Sequence, residues 1–162
     1  MDVRTMASMG QKAMRKSQST AEKIFWPMQA GRPRDFQPSL LEAVMLGRQT
    51  ANKLYAAMRE AKLSMKDGLC VLVCAKGGKL AGLAPFAHEN ENAADLELVQ
   101  RYIIREKWDP IGIAIVLLDR EKGKLLTHAR PFERNEQNER ILTAVQEKWA
   151  KGVSEGKMNW RN

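Results

Sequence analysis

Between Ile111 and Leu118 the chain reads IGIAIVLL, apolar at every position. The run is far shorter than the roughly 20 residues of a membrane-spanning helix. Unbroken apolarity over eight residues instead describes a strand covered on both faces, a central strand of a sheet. Asp119 to Gly123 can turn the chain, and the half-polar Lys124–Arg130 stretch returns it, so residues 111–132 predict a β-hairpin. Upstream, Leu69–Lys76 is again apolar on both sides. Gly77-Gly78 is a strong two-residue hairpin signal, and Lys79–Ala84 supplies the second arm.

Helical periodicity fills the intervals. Ser39-x-x-Glu42 has the form of a capping box and opens a helix expected to reach about Leu63. Leu40, Val44, Gly47, Ala51, Leu54, Met58 and Ala61 define its buried face at three- and four-residue steps. Arg48, Tyr55, Arg59 and Lys62 fall on another side and form a basic strip with one aromatic. The fragment LGRQTANKLYAAMREAKLS resembles the recognition helix of helix-turn-helix proteins. Its apolar stripe continues straight through Gly47, however, which predicts one long helix. A second helix is expected over 93–107, with Leu96, Val99 and Ile103 inward, and a third over 135–150, with Ile141, Leu142, Val145 and Trp149 inward and Gly152 as its stop. The expectation is a single α+β domain in the order α-β-β-α-β-β-α. It spans residues 39–150, behind a basic arm, 1–38, and ahead of a tail, 151–162.

The two hairpins share wording. Gly78-Lys79-Leu80 matches Gly123-Lys124-Leu125, and Pro85-Phe86 matches Pro131-Phe132. At the offset of the second match, Leu96 and Val99 align with Leu142 and Val145. This suggests a duplicated ββα unit arranged about a pseudo-twofold axis, with Phe86 and Phe132 in equivalent places.

Charge separates front from back. Residues 1–66 hold 12 Lys/Arg against 5 Asp/Glu, net +7, whereas residues 67–162 hold 15 against 14, net +1. A cationic excess confined to one region creates a local field suited to a polyanion. Within the arm lies Gly31-Arg32-Pro33-Arg34, which resembles the core of minor-groove arms, as in AT hooks and the arms of invertases and some tetracycline-repressor-like regulators. The resemblance covers four residues. It implies an arm held extended by proline, with arginines entering a narrow A·T-rich groove. Ala30 stands where an AT hook usually has another basic residue, and Asp35 opposes the charge.

The leading expectation is therefore a non-enzymatic nucleic-acid-binding or accessory protein, with DNA favoured over RNA. Arg32 and Arg34 would lie in a groove or on phosphates, and Arg48, Arg59 and Lys62 on the backbone. The alternative is a protein-assembly subunit or homo-oligomer that docks through Phe25, Trp26 and Met28, bulky apolar residues in an otherwise polar arm. A small-ligand site ranks third: His128 and Arg130, two apart on a strand and so on one face, could hold a phosphate or carboxylate beside Leu126. No cofactor, metal site or catalytic group is expected, since the chain has only two histidines and no phosphate loop or nucleophile elbow. Cys70 and Cys74 suit a reducing, cytoplasmic setting. On one strand they lie about 13 Å apart, too far for a disulfide.

Overall fold

The computed structural model describes residues 37–86, 93–120 and 123–154. Their elements follow the expected α+β order: α1 (Leu40–Glu60), β1 (Gly68–Lys76), β2 (Lys79–Phe86), α2 (Ala93–Glu106), β3 (Asp109–Asp119), β4 (Lys124–Pro131) and α3 (Glu136–Ser154). The strands form one antiparallel sheet in the order β2-β1-β3-β4. The two apolar runs are its centre, buried along nearly their whole length.

Burial on both faces requires two helical layers. On one face, Cys70, Leu72, Cys74, Ile113, Ile115 and Leu117 meet Val44, Ala51, Leu54 and Met58 of α1 and Ile103 of α2. On the other, Leu69, Val71, Val73, Ala114 and Val116 meet Ile141, Leu142, Val145 and Trp149 of α3. The ladder carries two bulges. Ala81 is extra where Cys74 pairs with Gly82 and Ala75 with Leu80, and Ile111 is extra where Val73 pairs with Gly112 and Cys74 with Pro110. The second bulge turns Ile111 to the α3 face although Ile113 and Ile115 face α1. Simple alternation would have put all three together.

α1 begins as predicted. The Ser39 side chain accepts from the Glu42 N–H, and the Glu42 carboxylate accepts from the Ser39 N–H. It ends earlier, at Glu60, in a Schellman motif: the Leu63 N–H donates to the Met58 carbonyl and the Lys62 N–H to that of Arg59. Lys62 takes the left-handed position at φ 59°. α2 ends in the same way, with Lys107 at φ 57° and the Trp108 N–H donating to the Ile103 carbonyl. At the other end of the scale, α3 runs past its expected stop. Gly152 is not among the residues of positive φ, and the helix continues to Ser154.

The pseudo-twofold expectation is corrected. A twofold axis exchanging antiparallel neighbours β1 and β3 must stand perpendicular to the sheet, so it would keep the helices that follow each hairpin on one face. They lie on opposite faces, α2 beside α1 and α3 across the sheet. The expectation for Phe86 and Phe132 holds: both enter the core under α1 from the end of a hairpin's second arm, Phe86 opposite Cys70 and Phe132 with its N–H donating to the Ile111 carbonyl, the third residues of β1 and β3.

Phe86 locates α1. Its ring lies so close beneath Gly47 that a Cβ there would stand 2.4 Å from Cζ. The Tyr55 hydroxyl donates to the Phe86 carbonyl at 2.9 Å, and the Arg48 guanidinium sits 5.7 Å from the ring centroid. Alanine for Gly47 would improve helix propensity by about 1 kcal/mol. Overpacking a fully buried ring costs about 1–3 kcal/mol. Gly47→Ala is thus expected to lower stability by up to about 2 kcal/mol in urea unfolding, with the helical circular dichroism retained.

Candidate functional site

Two sets of predicted site residues fall within the described chain. The first is the basic strip of α1. Arg59 and Lys62 are exposed as expected, but Arg48 is corrected: it is buried, at 6% exposure, and its Nε donates to Asn52 Oδ1 at 2.9 Å. It packs over Phe86 rather than facing solvent, so it cannot serve as a backbone contact for a nucleic acid. Tyr55, the strip's aromatic, is buried with it. The helix therefore buries a wider arc than its apolar residues alone define. The exposed cations left on α1 are Lys53 and Arg59, with Lys62 just beyond its end. Arg32, Arg34, Phe25, Trp26 and Met28 lie outside the described residues.

The second set is the row on β4. Leu126, His128 and Arg130 pair with Leu117, Ile115 and Ile113, all three of which belong to the core under α1. The predicted shared face is thus the face on which α1 and α2 lie. All three β4 residues are half-buried. Burial, and then the neighbouring Arg130 charge, hold the His128 imidazole below its ordinary value. Burial, and then Arg134, lower Arg130. The row thus sets the Arg130 cation beside an imidazole that resists a second charge, and a carboxylate or phosphate is the ligand complementary to it.

The thiols are spectators. Cys70 and Cys74 are free and buried. Desolvation pushes the Cys70 thiol far up despite the opposing Arg48 charge, and pushes Cys74 up to about 12, with Asp109 adding to it. Neither supplies the thiolate that nucleophilic chemistry needs at neutral pH. Among the described residues, no group of three His, Cys, Asp or Glu side chains could hold a metal ion. None of the described helices is long and apolar enough to cross a membrane.

Two features escaped the sequence reading. One is a clamp at the opposite end of the sheet: Arg120 donates through Nε to both Asp67 carboxylate oxygens at 2.9 Å, and its Nη2 lies 2.8 Å from Oδ1. The other is an apolar surface on the α1–α2 layer. Leu41 and Met45 lie on the flank of α1 that carries Arg48 and Tyr55, and both are exposed. So are Leu98, Tyr102 and Ile104 of α2. The signal was present in the wording Leu40-Leu41 and Val44-Met45, where apolar residues extend beyond the one face that a core needs.

Comparison with protein-family models, with curated proteins and with solved structures yields no match for this chain.

The His128 shift sets a pH dependence. Its native value lies below that of the unfolded chain, so the unfolded state takes up the proton first and stability falls as pH drops through the region of the ordinary value. Thermal melts between about pH 7.5 and about pH 5.5 are expected to show declining stability in the wild type, with a shallower decline in His128→Asn.

Proposed function

We propose that the protein is a non-enzymatic assembly module that presents the outer surface of α1 and α2 to a protein partner. One observation carries this reading. Of the six large hydrophobic side chains that stand exposed among the described residues, five belong to this layer: Leu41 (53%), Met45 (45%), Leu98 (59%), Tyr102 (43%) and Ile104 (63%). Single exposed apolar residues are ordinary, whereas a concentration of them on one layer marks a docking surface. About half of each is still exposed, so covering the rest would contribute about 1 kcal/mol apiece, and the set from both copies together is of the order of the cost of association. The occupant assigned to the surface is a second copy of the chain, because pairing one helical layer with its own image about a twofold axis closes the assembly. A reducing cytoplasmic setting agrees with two free thiols.

Nucleic acid is the second reading, favoured by the charge ahead of the fold, where residues 1–36 hold 7 Lys/Arg against 3 Asp/Glu. In it, Arg32 and Arg34 supply groove or phosphate contacts, and Arg59 and Lys62 extend them along a backbone.

Light scattering on the eluting protein is expected to give the mass of two chains. The double substitution Met45→Glu/Ile104→Glu is expected to give one chain that keeps its helical circular dichroism, since neither side chain is buried, and whose melting temperature no longer depends on protein concentration. A wild type that elutes as a monomer at every accessible concentration ends the assembly reading. For the second, binding to an A·T-rich duplex should weaken steeply with salt, and Arg32→Ala/Arg34→Ala should reduce the log–log slope by about 2. Absence of binding at low salt removes it.

A further inference from the structure

The helical cover on the α1 side of the sheet is lopsided. α1 lies chiefly over β1, with lighter contact to β3 and β2. α2 lies beside it on the β2 side, where the Trp108 ring at its end rests on Gly82, so close that a Cβ there would stand 2.3 Å from the indole. The helix that packs on β4 is α3, and α3 occupies the other face. Among the described residues, then, no helix roofs β4 on the side toward which Leu126, His128 and Arg130 project. The opposite bank of this strip is the flank of α1 turned away from β2. It carries Leu46 and Ala57, partly buried hydrophobic residues packed against the same core, with Thr50 between them.

The point at which the described chain begins is at this strip. The Gln37 side-chain amide donates to the Pro110 carbonyl at the start of β3. Two residues on, Gly112 pairs with Pro131, the last residue of β4. The 36 residues ahead of Gln37 therefore join the fold at the end of the uncovered strip. Their sequence contains one strongly apolar stretch, Ile24-Phe25-Trp26-Pro27-Met28, preceded by the Ser19-x-x-Glu22 capping pattern. Residues 29–36 separate it from Gln37, and an extended chain of that length reaches up to about 28 Å. The eight residues of β4 span about 26 Å, so the apolar stretch can reach any point along the strip. Its composition also fits: bulky apolar groups suit Leu126 and the Leu46–Ala57 flank, and Glu22 brings a carboxylate to a row whose His128 and Arg130 are both cationic or protonatable.

We infer that Phe25, Trp26 and Met28 pack in cis over β4 beside α1, completing the cover of the sheet, with Glu22 toward the His128–Arg130 row. The aromatic segment is in this account part of the protein's own core rather than its means of capturing a partner. It leaves the α1–α2 surface, on the far side of α1, as the face open to association, and it stands whether or not that surface dimerises.

The buried state of both native thiols makes a single introduced cysteine selectively labelable. A nitroxide attached at Gln29→Cys in the full-length, nitrogen-15-labelled chain is expected to broaden away the amide signals of Leu126 to Arg130 and of Leu46 to Ala57. Those of Lys79 to Leu83, on the opposite edge strand, should persist. Adding Phe25→Ser/Trp26→Ser to the labelled chain is expected to restore the lost signals without disturbing α3. If the β4 signals persist in the singly substituted labelled chain, the inference is overturned. It is equally overturned if broadening appears only when spin-labelled protein is mixed with a nitrogen-15 copy lacking the label, for then the segment docks on another molecule.

Discussion

The antiparallel pairing of β1 with β3 governs the rest of the architecture. Both strands are apolar on both faces, so a bare sheet would leave one side of each in water. At about 25 cal/mol per Å² of apolar area, neither face can be left open at an acceptable cost. Helices are thus required above and below, and the connections decide which goes where. α1 enters antiparallel to β1 and covers the centre, α2 returns along the β2 side, and α3 crosses to the face that the first two leave bare. The helices' order in sequence sets their placement, and the resemblance between the two hairpins does not override it. Equivalent strands are followed by helices on opposite faces because the first face was already occupied.

The seating of α1 depends on a small cluster under its middle turn. Gly47 lets the Phe86 ring approach the helix backbone, Tyr55 anchors the Phe86 carbonyl at the end of β2, and Arg48 closes over the ring. The Cys70 thiol points to the Gly47 carbonyl beneath. Burying a guanidinium is expensive unless its stem and plane find contact. Here the plane is met by an aromatic face and Nε by Asn52, one turn along. A residue that looks in sequence like surface charge has become part of the core lid.

This explains what could be read from the residues and what could not. Strands β1 and β3 were legible because unbroken apolar runs bounded by turn residues have few other solutions. The Gly77-Gly78 turn was legible because both residues adopt positive φ, at 61° and 78°, which few residue types accept. Helix ends were less so: Lys62 and Lys107 hold left-handed positions where glycine is usual, and nothing in a lysine announces that. The bulge at Ile111 was equally silent, since β-branched residues on either face look alike in a string. Of the site residues, the shared face of His128 and Arg130 followed from strand alternation alone. Arg48 failed because its fate depended on Phe86, 38 positions away, and helical spacing carries no information about a partner across the fold.

Moving Arg48 inward changes how the basic front can act. A strip running through residues 48, 59 and 62 would have made α1 a continuous cationic rail leading from the arm. Instead, the arm joins at the Gln37 end, and the exposed cations Arg59 and Lys62 lie at the far end of a 21-residue helix, about 30 Å away at 1.5 Å per residue. That separation is several Debye lengths at physiological salt, so Arg59 and Lys62 do not reinforce a charge held at Gln37. Between them, α1 offers Leu41 and Met45 on one flank and Leu46 and Ala57 on the other. Both flanks of the helix thus carry apolar side chains, and its exposed cations, Lys53 and Arg59, do not form a continuous row. A polyanion would meet separate cations on α1 rather than a rail, whereas an apolar partner would meet several exposed hydrophobic side chains. Of the two kinds of partner, the second asks less of the fold as it stands.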